Sequence, residues 1–138
     1  MARYILDTHT LLWFLENNPR LPENIRENIE YIQYEFYISH LSLIEIDNLR
    51  KLGKISYNLS LEDTLNKLQE SYIEVHFDSM KDLKVLDNLE MKTINAKTHG
   101  DYIDRMLIAT AIANHYIMIS ADSKFPHYKQ SGLSLLEI

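Results

Sequence analysis

The sequence has no cysteine, only three glycines and three prolines, and no long hydrophobic run. Without cysteine there can be no disulfide, catalytic thiolate or cysteine-bound zinc, so any metal must be bound by oxygen or imidazole ligands. Three glycines are too few for a Gly-rich phosphate loop or a serine nucleophile elbow, which argues against nucleoside-triphosphate chemistry. No apolar run approaches the roughly 18 residues that a membrane span needs, and no signal-peptide pattern follows Met1. We therefore expect a cytoplasmic protein that does not enter a membrane.

The composition is that of an ordinary globular protein. The chain has 138 residues, of which 46% are hydrophobic and 25% charged, so we expect one domain covering residues 1–138. The net charge of −6 argues against binding nucleic acid by general electrostatic attraction. This objection weakens if several carboxylates surround divalent cations, because the ions then supply positive charge where a phosphate would bind.

Short apolar runs alternate with amphipathic segments along the chain. Segments typical of strands are residues 4–6, 36–39, 72–77, 117–120 and, as a last edge strand, 135–138. Segments typical of helices are residues 8–16, a helix that opens at 22–23, and residues 42–52, 61–68, 79–86 and 102–115. Residues 88–100 follow neither pattern and are interpreted as a loop. Strands alternating with helices predict an α/β fold with a mostly parallel sheet covered on both faces.

Carboxylates follow three of the predicted strands. Asp7 comes directly after the first strand, Glu45 lies in the helix after the second, and Asp122 follows the strand at 117–120. In parallel α/β sheets, functional groups gather at the carboxyl ends of the strands. Asp104 stands near the start of a helix that is apolar almost all round and is therefore expected to be buried.

Each carboxylate also has a purely structural explanation. Asp7 can cap the following helix, Asp101 with Asp104 resembles a capping box, and Asp122 can form an Asx turn. Glu45 is harder to explain, because we expect it to lie within an apolar stripe of its helix and no lysine or arginine stands three or four residues away. A tertiary salt bridge remains the alternative for this residue.

A single cause explains all four residues together. A site for a hard divalent cation such as Mg²⁺ or Mn²⁺ would use carboxylates from separate segments. The six histidines show no zinc spacing, so most are expected to be surface or packing residues. Convergence on one edge of the sheet therefore predicts a metal site formed by Asp7, Glu45, Asp104 and Asp122.

These segments resemble those of the PIN domain family, and within it the VapC-type toxin ribonucleases. The resemblance spans the whole chain and is carried by residues 4–13 (YILDTHTLLW), 39–46 (SHLSLIEI), 100–111 (GDYIDRMLIATA) and 119–125 (ISADSKF). The four acidic residues fall on the family's four acidic positions, in the same order. The family's usual Asp-Pro-Phe-Asp-Arg appears here as Asp-Tyr-Ile-Asp-Arg at residues 101–105, without the proline.

The resemblance implies a fold, an activity and partners. The fold would be a PIN-like three-layer α/β/α arrangement with a central, mostly parallel sheet of four or five strands. The activity would be that of a Mg²⁺- or Mn²⁺-dependent endoribonuclease, the toxin of a type II toxin-antitoxin system, inhibited by a cognate protein antitoxin and often a homodimer.

The resemblance, with the chemistry of the residues, also suggests individual roles. Asp7 and Asp104 would hold the ion, and Glu45 and Asp122 would bind it directly, through water, or hold a second ion; one of these two could act as general base. Four neighbouring residues would orient the ligands or support the loop: Thr8, Ser120, Asp101 and Arg105. Arg105 could instead serve only to hold the structure together.

Two other functions are compatible with parts of the pattern. A catalytically degenerate PIN-like module could bind RNA or protein without cleaving, although the intact carboxylates argue against it. A phosphatase with an aspartyl nucleophile would need a second aspartate two residues after Asp7, where the sequence has His9.

Overall fold

A computed structural model of the protein describes residues 2–138. The strands are β1 (Arg3–Leu6), β2 (Glu35–Ser39), β3 (Glu74–His76), β4 (Thr93–Ile94), β5 (Lys97–Thr98), β6 (Ile117–Ser120) and β7 (Ser134–Glu137). The helices are α1 (Thr8–Leu15), α2 (Glu23–Glu30), α3 (His40–Lys51), α4 (Leu61–Glu70), α5 (Met80–Asn88) and α6 (Tyr102–Asn114), with a 3₁₀ helix at Phe125–Ser131. Within the described residues, no helix is both long and apolar enough to cross a membrane.

Five strands form one parallel sheet in the order β3-β2-β1-β6-β7. The chain leaves β1 towards β2 on one side and later returns to pair β6 with β1 on the other side. In sheets of this kind, ligands bind outside the carboxyl ends of the strands where the order reverses. Asp7, after β1, and Asp122, after β6, therefore flank the point of reversal.

The sheet lies between two hydrophobic cores, as the alternation of side chains along a strand requires. Leu6 and Ile119 face a core shared with helices α1 to α4. Their neighbours Ile5 and Met118 face a second core shared with α6 and the 3₁₀ helix. The predicted three-layer α/β/α fold with a parallel central sheet is therefore confirmed.

Helix boundaries largely follow the caps that the sequence supplies. Ser79 caps α5 in a reciprocal capping box with Asp82, and Gly53, at φ +70°, follows the end of α3 as predicted. His115, expected to be helical, instead ends α6 in the left-handed conformation.

Two predictions about connecting segments were incomplete. Residues 88–100 were expected to be a plain loop, but they contain the two-stranded antiparallel ribbon β4-β5, which was too short to show a period-2 pattern. The 3₁₀ helix Phe125–Ser131 was not predicted either, because a segment of seven residues around Pro126 is too short to show a periodicity.

Candidate metal centre at the carboxyl edge of the sheet

Asp7 is buried at the carboxyl edge of the central sheet, directly after β1, with 4% of its surface exposed. It caps α1, since its Oδ1 accepts a hydrogen bond from the backbone N–H of Thr10 at 2.8 Å. Its Oδ2 accepts a hydrogen bond from the Ser120 hydroxyl at 2.5 Å. The capping role predicted as an alternative is therefore present, but it occupies only one of the two oxygens.

Ser120 connects Asp7 to Asp122. The same Ser120 oxygen that donates to Asp7 accepts a hydrogen bond from the backbone N–H of Asp122 at 3.0 Å. Asp122 also makes the expected turn, because its Oδ1 accepts from the Lys124 backbone at 2.8 Å. One serine thus fixes the ends of β1 and β6 relative to each other.

Glu45 reaches this edge from α3 and is half-buried. Burial raises the pKa of the Glu45 carboxyl, and the negative charges of Asp101 and Asp104 raise it further, while His9 and Thr8 oppose the shift more weakly. Among residues 2–138 it forms no ion pair with a lysine or arginine, so the tertiary salt bridge considered above is not found.

The prediction that Glu45 lies within a buried apolar stripe of α3 was wrong. Ile44 and Leu52 were expected to form a buried stripe around it, but they are 55% and 58% exposed. The face of α3 that is buried carries Ser42, Leu43 and Ile46 instead. Glu45 therefore lies at the border of the buried face, where its carboxyl group can reach the edge of the sheet.

Asp104 approaches from the first turn of α6. Burial raises the pKa of its carboxyl group; the hydrogen bond with His99 lowers it, and the charges of Asp101 and Asp122 raise it again, so that the net shift is upward. Asp101 caps α6 through the backbone N–H of Asp104 at 2.9 Å. The first turn of α6 thus adds two carboxylates to the same region.

The four predicted carboxylates are connected in space. Asp7 and Asp122 share Ser120, Asp122 raises the pKa of Asp104 through its charge, and Asp104 does the same to Glu45. Little positive charge compensates them: Asp122 pairs with the Lys124 ammonium at 3.2 Å and Asp104 with the His99 ring at 3.1 Å. Oxygen ligands and uncompensated negative charge are what a hard divalent cation requires, so these residues fit such an ion.

The carboxylates do not, however, form a closed cage around a single point. Within residues 2–138, three ligand atoms that all lie within 4.8 Å of one another are offered only by His76, Asp78 and Asp82. The sequence predicted close convergence of the four acids, and the structure brings them to one edge without that degree of contact. Side-chain rotations would have to draw the oxygens together around an ion.

The group containing His76 has a structural explanation. Asp82 is fully buried, and its oxygens accept hydrogen bonds from His76 Nε2 at 2.7 Å, from the Ser79 backbone at 3.0 Å and from Asn114 Nδ2 at 2.8 Å. Burial alone would raise the pKa of Asp82, but these donors outweigh it and lower the pKa overall. The network joins β3, α5 and α6.

Three of the four predicted supporting residues, Ser120, Asp101 and Thr8, lie beside the carboxylates, and the fourth, Arg105, does not. The Thr8 hydroxyl lies 2.9 Å from the Ser42 hydroxyl in a buried contact between α1 and α3. Arg105 instead points towards the segment after α5, where its guanidinium donates to the carbonyls of Glu90 at 3.2 Å and Leu89 at 2.9 Å. Arg105 therefore holds the structure together, which was the alternative predicted for it.

His99 is a neighbour of the site that was not predicted from the sequence. Its Nε2 lies 3.1 Å from Asp104 Oδ2, and its Nδ1 lies 2.7 Å from the Tyr128 hydroxyl. The ring is almost completely buried, so its orientation is fixed from both sides. Only the position of His99 five residues before Asp104 could have drawn attention to it.

Two clefts open beside the carboxylates. One, of about 210 Å³, is lined by Asp7, His9, Trp13, Ala121 and Asp122. The other, of about 610 Å³, lies between α3 and the start of α6 and includes Glu45, Asp101 and Tyr102. An extended substrate could approach the edge of the sheet through both.

Comparisons with known proteins agree with this architecture. A family model described as PIN domain matches residues 4–130. The fold is similar to that of a chain in the crystal structure of VapBC2 from Rickettsia felis bound to a DNA fragment from their promoter, with a TM-score of 0.71, 19% identity, and coverage of 99% of this chain and 98% of that one. A chain in DNA-bound VapBC from Salmonella typhimurium gives a TM-score of 0.70 and 18% identity, again covering 99% and 98%. No curated protein matches the sequence.

Proposed function

The chain belongs to the PIN domain family, and we propose that it is a metal-dependent endoribonuclease that acts as the toxin of a toxin-antitoxin pair. The observation that carries the proposal is the connected set of carboxylates at the point where the strand order reverses. Asp7, Glu45, Asp104 and Asp122 come from four separate segments, and burial and mutual repulsion raise the pKa of two of them, Glu45 and Asp104. The repulsion among these carboxylates has to be offset when all of them are ionised, and the positive charge of a bound divalent cation would offset it.

In the proposed mechanism, Asp7 and Asp104 bind the ion, and Glu45 and Asp122 complete or extend its coordination. A bound Mg²⁺ or Mn²⁺ would polarise the scissile phosphate and lower the pKa of a water molecule. Ser120 holds Asp7 and Asp122 in place through its two hydrogen bonds. Residues in this supporting role are commonly worth about 10- to 100-fold in metal affinity or activity.

Glu45 and Asp122 differ in their suitability as general base. Glu45 has a raised pKa, which brings its basicity closer to that of a base working near neutral pH. Asp122 is already engaged through both carboxylate oxygens, since Oδ1 accepts from the Lys124 backbone N–H at 2.8 Å and Oδ2 pairs with the Lys124 ammonium at 3.2 Å. We therefore assign the base to Glu45.

His99 would orient Asp104 in this scheme. With the Tyr128 hydroxyl on one nitrogen and Asp104 Oδ2 on the other, the ring would hold one carboxylate oxygen and leave the second available to an ion. This assignment extends the metal site by a residue that is not acidic.

RNA cleavage is tested with purified protein and structured RNAs, in Mg²⁺ and in chelator. We expect cleavage only with the metal, its loss in Asp7→Asn and Asp104→Asn, and its retention in Asp87→Asn, an exposed carboxylate of α5 with the same change of charge. Cleavage by pure Asp104→Asn protein at the wild-type rate would contradict the assignment.

A non-catalytic PIN module that binds RNA or protein is the second candidate. It is favoured by the spacing of the four carboxylates. Among residues 2–138, the one group whose three ligand atoms lie within 4.8 Å of one another is His76, Asp78 and Asp82, and it includes none of the four. Metal-independent RNA binding without any cleavage would support this candidate against the nuclease.

The antitoxin and the homodimer are also proposals, and a cytoplasmic location goes with them. The similar folds belong to chains of VapBC complexes, which supports a protein partner for this chain as well. Light scattering of the purified protein would give its oligomeric state. Co-expression with a candidate antitoxin, followed by activity measurement, would test inhibition.

A further inference from the structure

A groove of about 780 Å³ lies away from the carboxylates, between α5 and the end of the 3₁₀ helix. The side chain of Ile112, from α6, forms part of its lining. Its polar lining is rich in groups that can donate hydrogen bonds: Lys81, Lys84, Asn88, Lys92, Gln130 and Ser131. Such a lining suits a ligand that is negatively charged and rich in acceptors.

The charge of this groove is opposite in sign to that of the whole protein. Three lysines and one glutamate line it, in a chain whose net charge is −6. The glutamate, Glu90, is engaged by the Lys92 ammonium at 3.1 Å. Lys81 and Lys84 form no ion pair within residues 2–138, and as an i,i+3 pair they project from the same face of α5.

The wall of the groove is fixed to the helix that carries Asp104. Arg105 donates to the carbonyls of Leu89 and Glu90, and the backbone N–H of His99 donates to the Lys92 carbonyl at 2.8 Å. His99 in turn contacts Asp104. Along α6, Asp104 and Ile112 are separated by about 12 Å at 1.5 Å per residue. A chain-like ligand bound at the carboxylates would therefore have to span about 12 Å along α6 to reach the groove.

We propose that this groove binds the phosphate backbone of the RNA substrate beyond the cleavage site, with Lys81 and Lys84 as the main contacts. The inference rests on the proposed function, because it takes RNA as the substrate. Charge complementarity favours a polyanion, and RNA is the polyanion that the proposed function would hold at the nearby carboxylates; an acidic protein segment is the alternative that the test distinguishes. The amide and hydroxyl groups of Asn88, Gln130 and Ser131 can donate to phosphate oxygens, and an overall acidic protein needs such a local patch to hold a polyanion.

The test measures binding separately from cleavage. In an Asp104→Asn background, where the RNA stays intact, Lys81→Gln/Lys84→Gln is compared with Arg20→Gln/Lys54→Gln. The control removes the same charge from two exposed residues in the connections between helices on the opposite face of the sheet. Affinity for a fluorescent single-stranded RNA is measured over a range of salt concentrations, and thermal unfolding confirms that both variants fold.

The expected effect follows from counterion release. Each phosphate contact on a single strand contributes about 0.7 to the slope of log affinity against log salt concentration, so losing two contacts lowers the slope by about 1.4 and the affinity about 25-fold at 0.1 M salt. Equal weakening in the control, or no weakening in the groove variant, would overturn the proposal. So would a larger loss of affinity for polyglutamate than for RNA, which would assign the groove to an acidic protein segment.

Failure of the proposed function would look different. If the wild-type protein binds RNA with the expected dependence on the two lysines but never cleaves it, the groove stands and the nuclease does not. If it cleaves RNA while the lysines prove irrelevant, the nuclease stands and the groove does not.

Discussion

Replacing Asp104 with asparagine should uncouple the stability of the protein from divalent metal. In the metal-free protein, the pKa of Asp104 is raised by burial and by neighbouring carboxylates. A raised pKa means that the folded state favours the protonated form, so its contribution to stability is complete at acidic pH and is lost as pH rises through the folded pKa. Asparagine is neutral at every pH and keeps an oxygen for His99, so the metal-free variant should be more stable than the wild type at neutral pH.

The size of the metal effect can be worked out from binding linkage. At a Mg²⁺ concentration of 100 times Kd, binding stabilises the wild type by about 2.7 kcal/mol, which for a chain of this size raises Tm by about 8–10 °C. If loss of the ligand raises Kd about 100-fold, the same Mg²⁺ concentration stabilises the variant by only about 0.4 kcal/mol, or about 1 °C.

Differential scanning calorimetry with Mg²⁺ and with chelator, at neutral and acidic pH, measures both effects. Asp87→Asn is the control, since Asp87 is exposed and should keep the wild-type response to metal. A metal-induced rise in Tm that is the same in Asp104→Asn as in the wild type would refute the assignment of this residue as a ligand. A metal-free variant that is less stable than the wild type at neutral pH would refute the repulsion argument.

Three further predictions concern one residue that supports the site and two that stabilise the fold. Asp82→Asn should be less stable than the wild type at neutral pH, because the folded state lowers the pKa of Asp82. The wild type should lose this advantage as the pH falls below about 3.8, the ordinary pKa of an aspartate. Urea unfolding of both proteins at several pH values measures the difference, and parallel pH profiles would contradict the prediction. Ser120→Ala should reduce metal affinity about 10- to 100-fold, because Asp7 loses the hydrogen bond that holds its carboxylate in place. Calorimetric titration with Mn²⁺ measures the affinity, and an unchanged affinity would exclude a supporting role for Ser120. Arg105→Ala should destabilise the fold by about 2–4 kcal/mol, because two charge-assisted hydrogen bonds are lost, and it should leave metal binding intact. Urea unfolding measures the stability, and the same titration measures metal binding. A loss of metal binding without a loss of stability would contradict the structural role.

The alternation of strands and helices could be predicted from the sequence because the relevant signals are local. The apolar run before Asp7, the capping box at Ser79 and the glycine after α3 each act within a few residues. The short β4-β5 ribbon and the 3₁₀ helix were missed, because so few residues carry no detectable period. Ile44 was misplaced for a different reason. Its hydrophobicity suggested burial, but hydrophobicity alone does not fix which face of a helix is covered.

The layered α/β fold and the position of Asp7, Glu45 and Asp122 near the carboxyl ends of strands could be predicted, because hydrophobic periodicity and turn chemistry are local properties of the chain. The three-dimensional packing fixed which side chains come into contact. It placed Ser120 between Asp7 and Asp122, paired His99 with Asp104, and turned Arg105 away to the Leu89 and Glu90 carbonyls. Contacts between residues far apart in the chain depend on strand order and helix packing, and these are set by burial of the whole core, which no local pattern encodes.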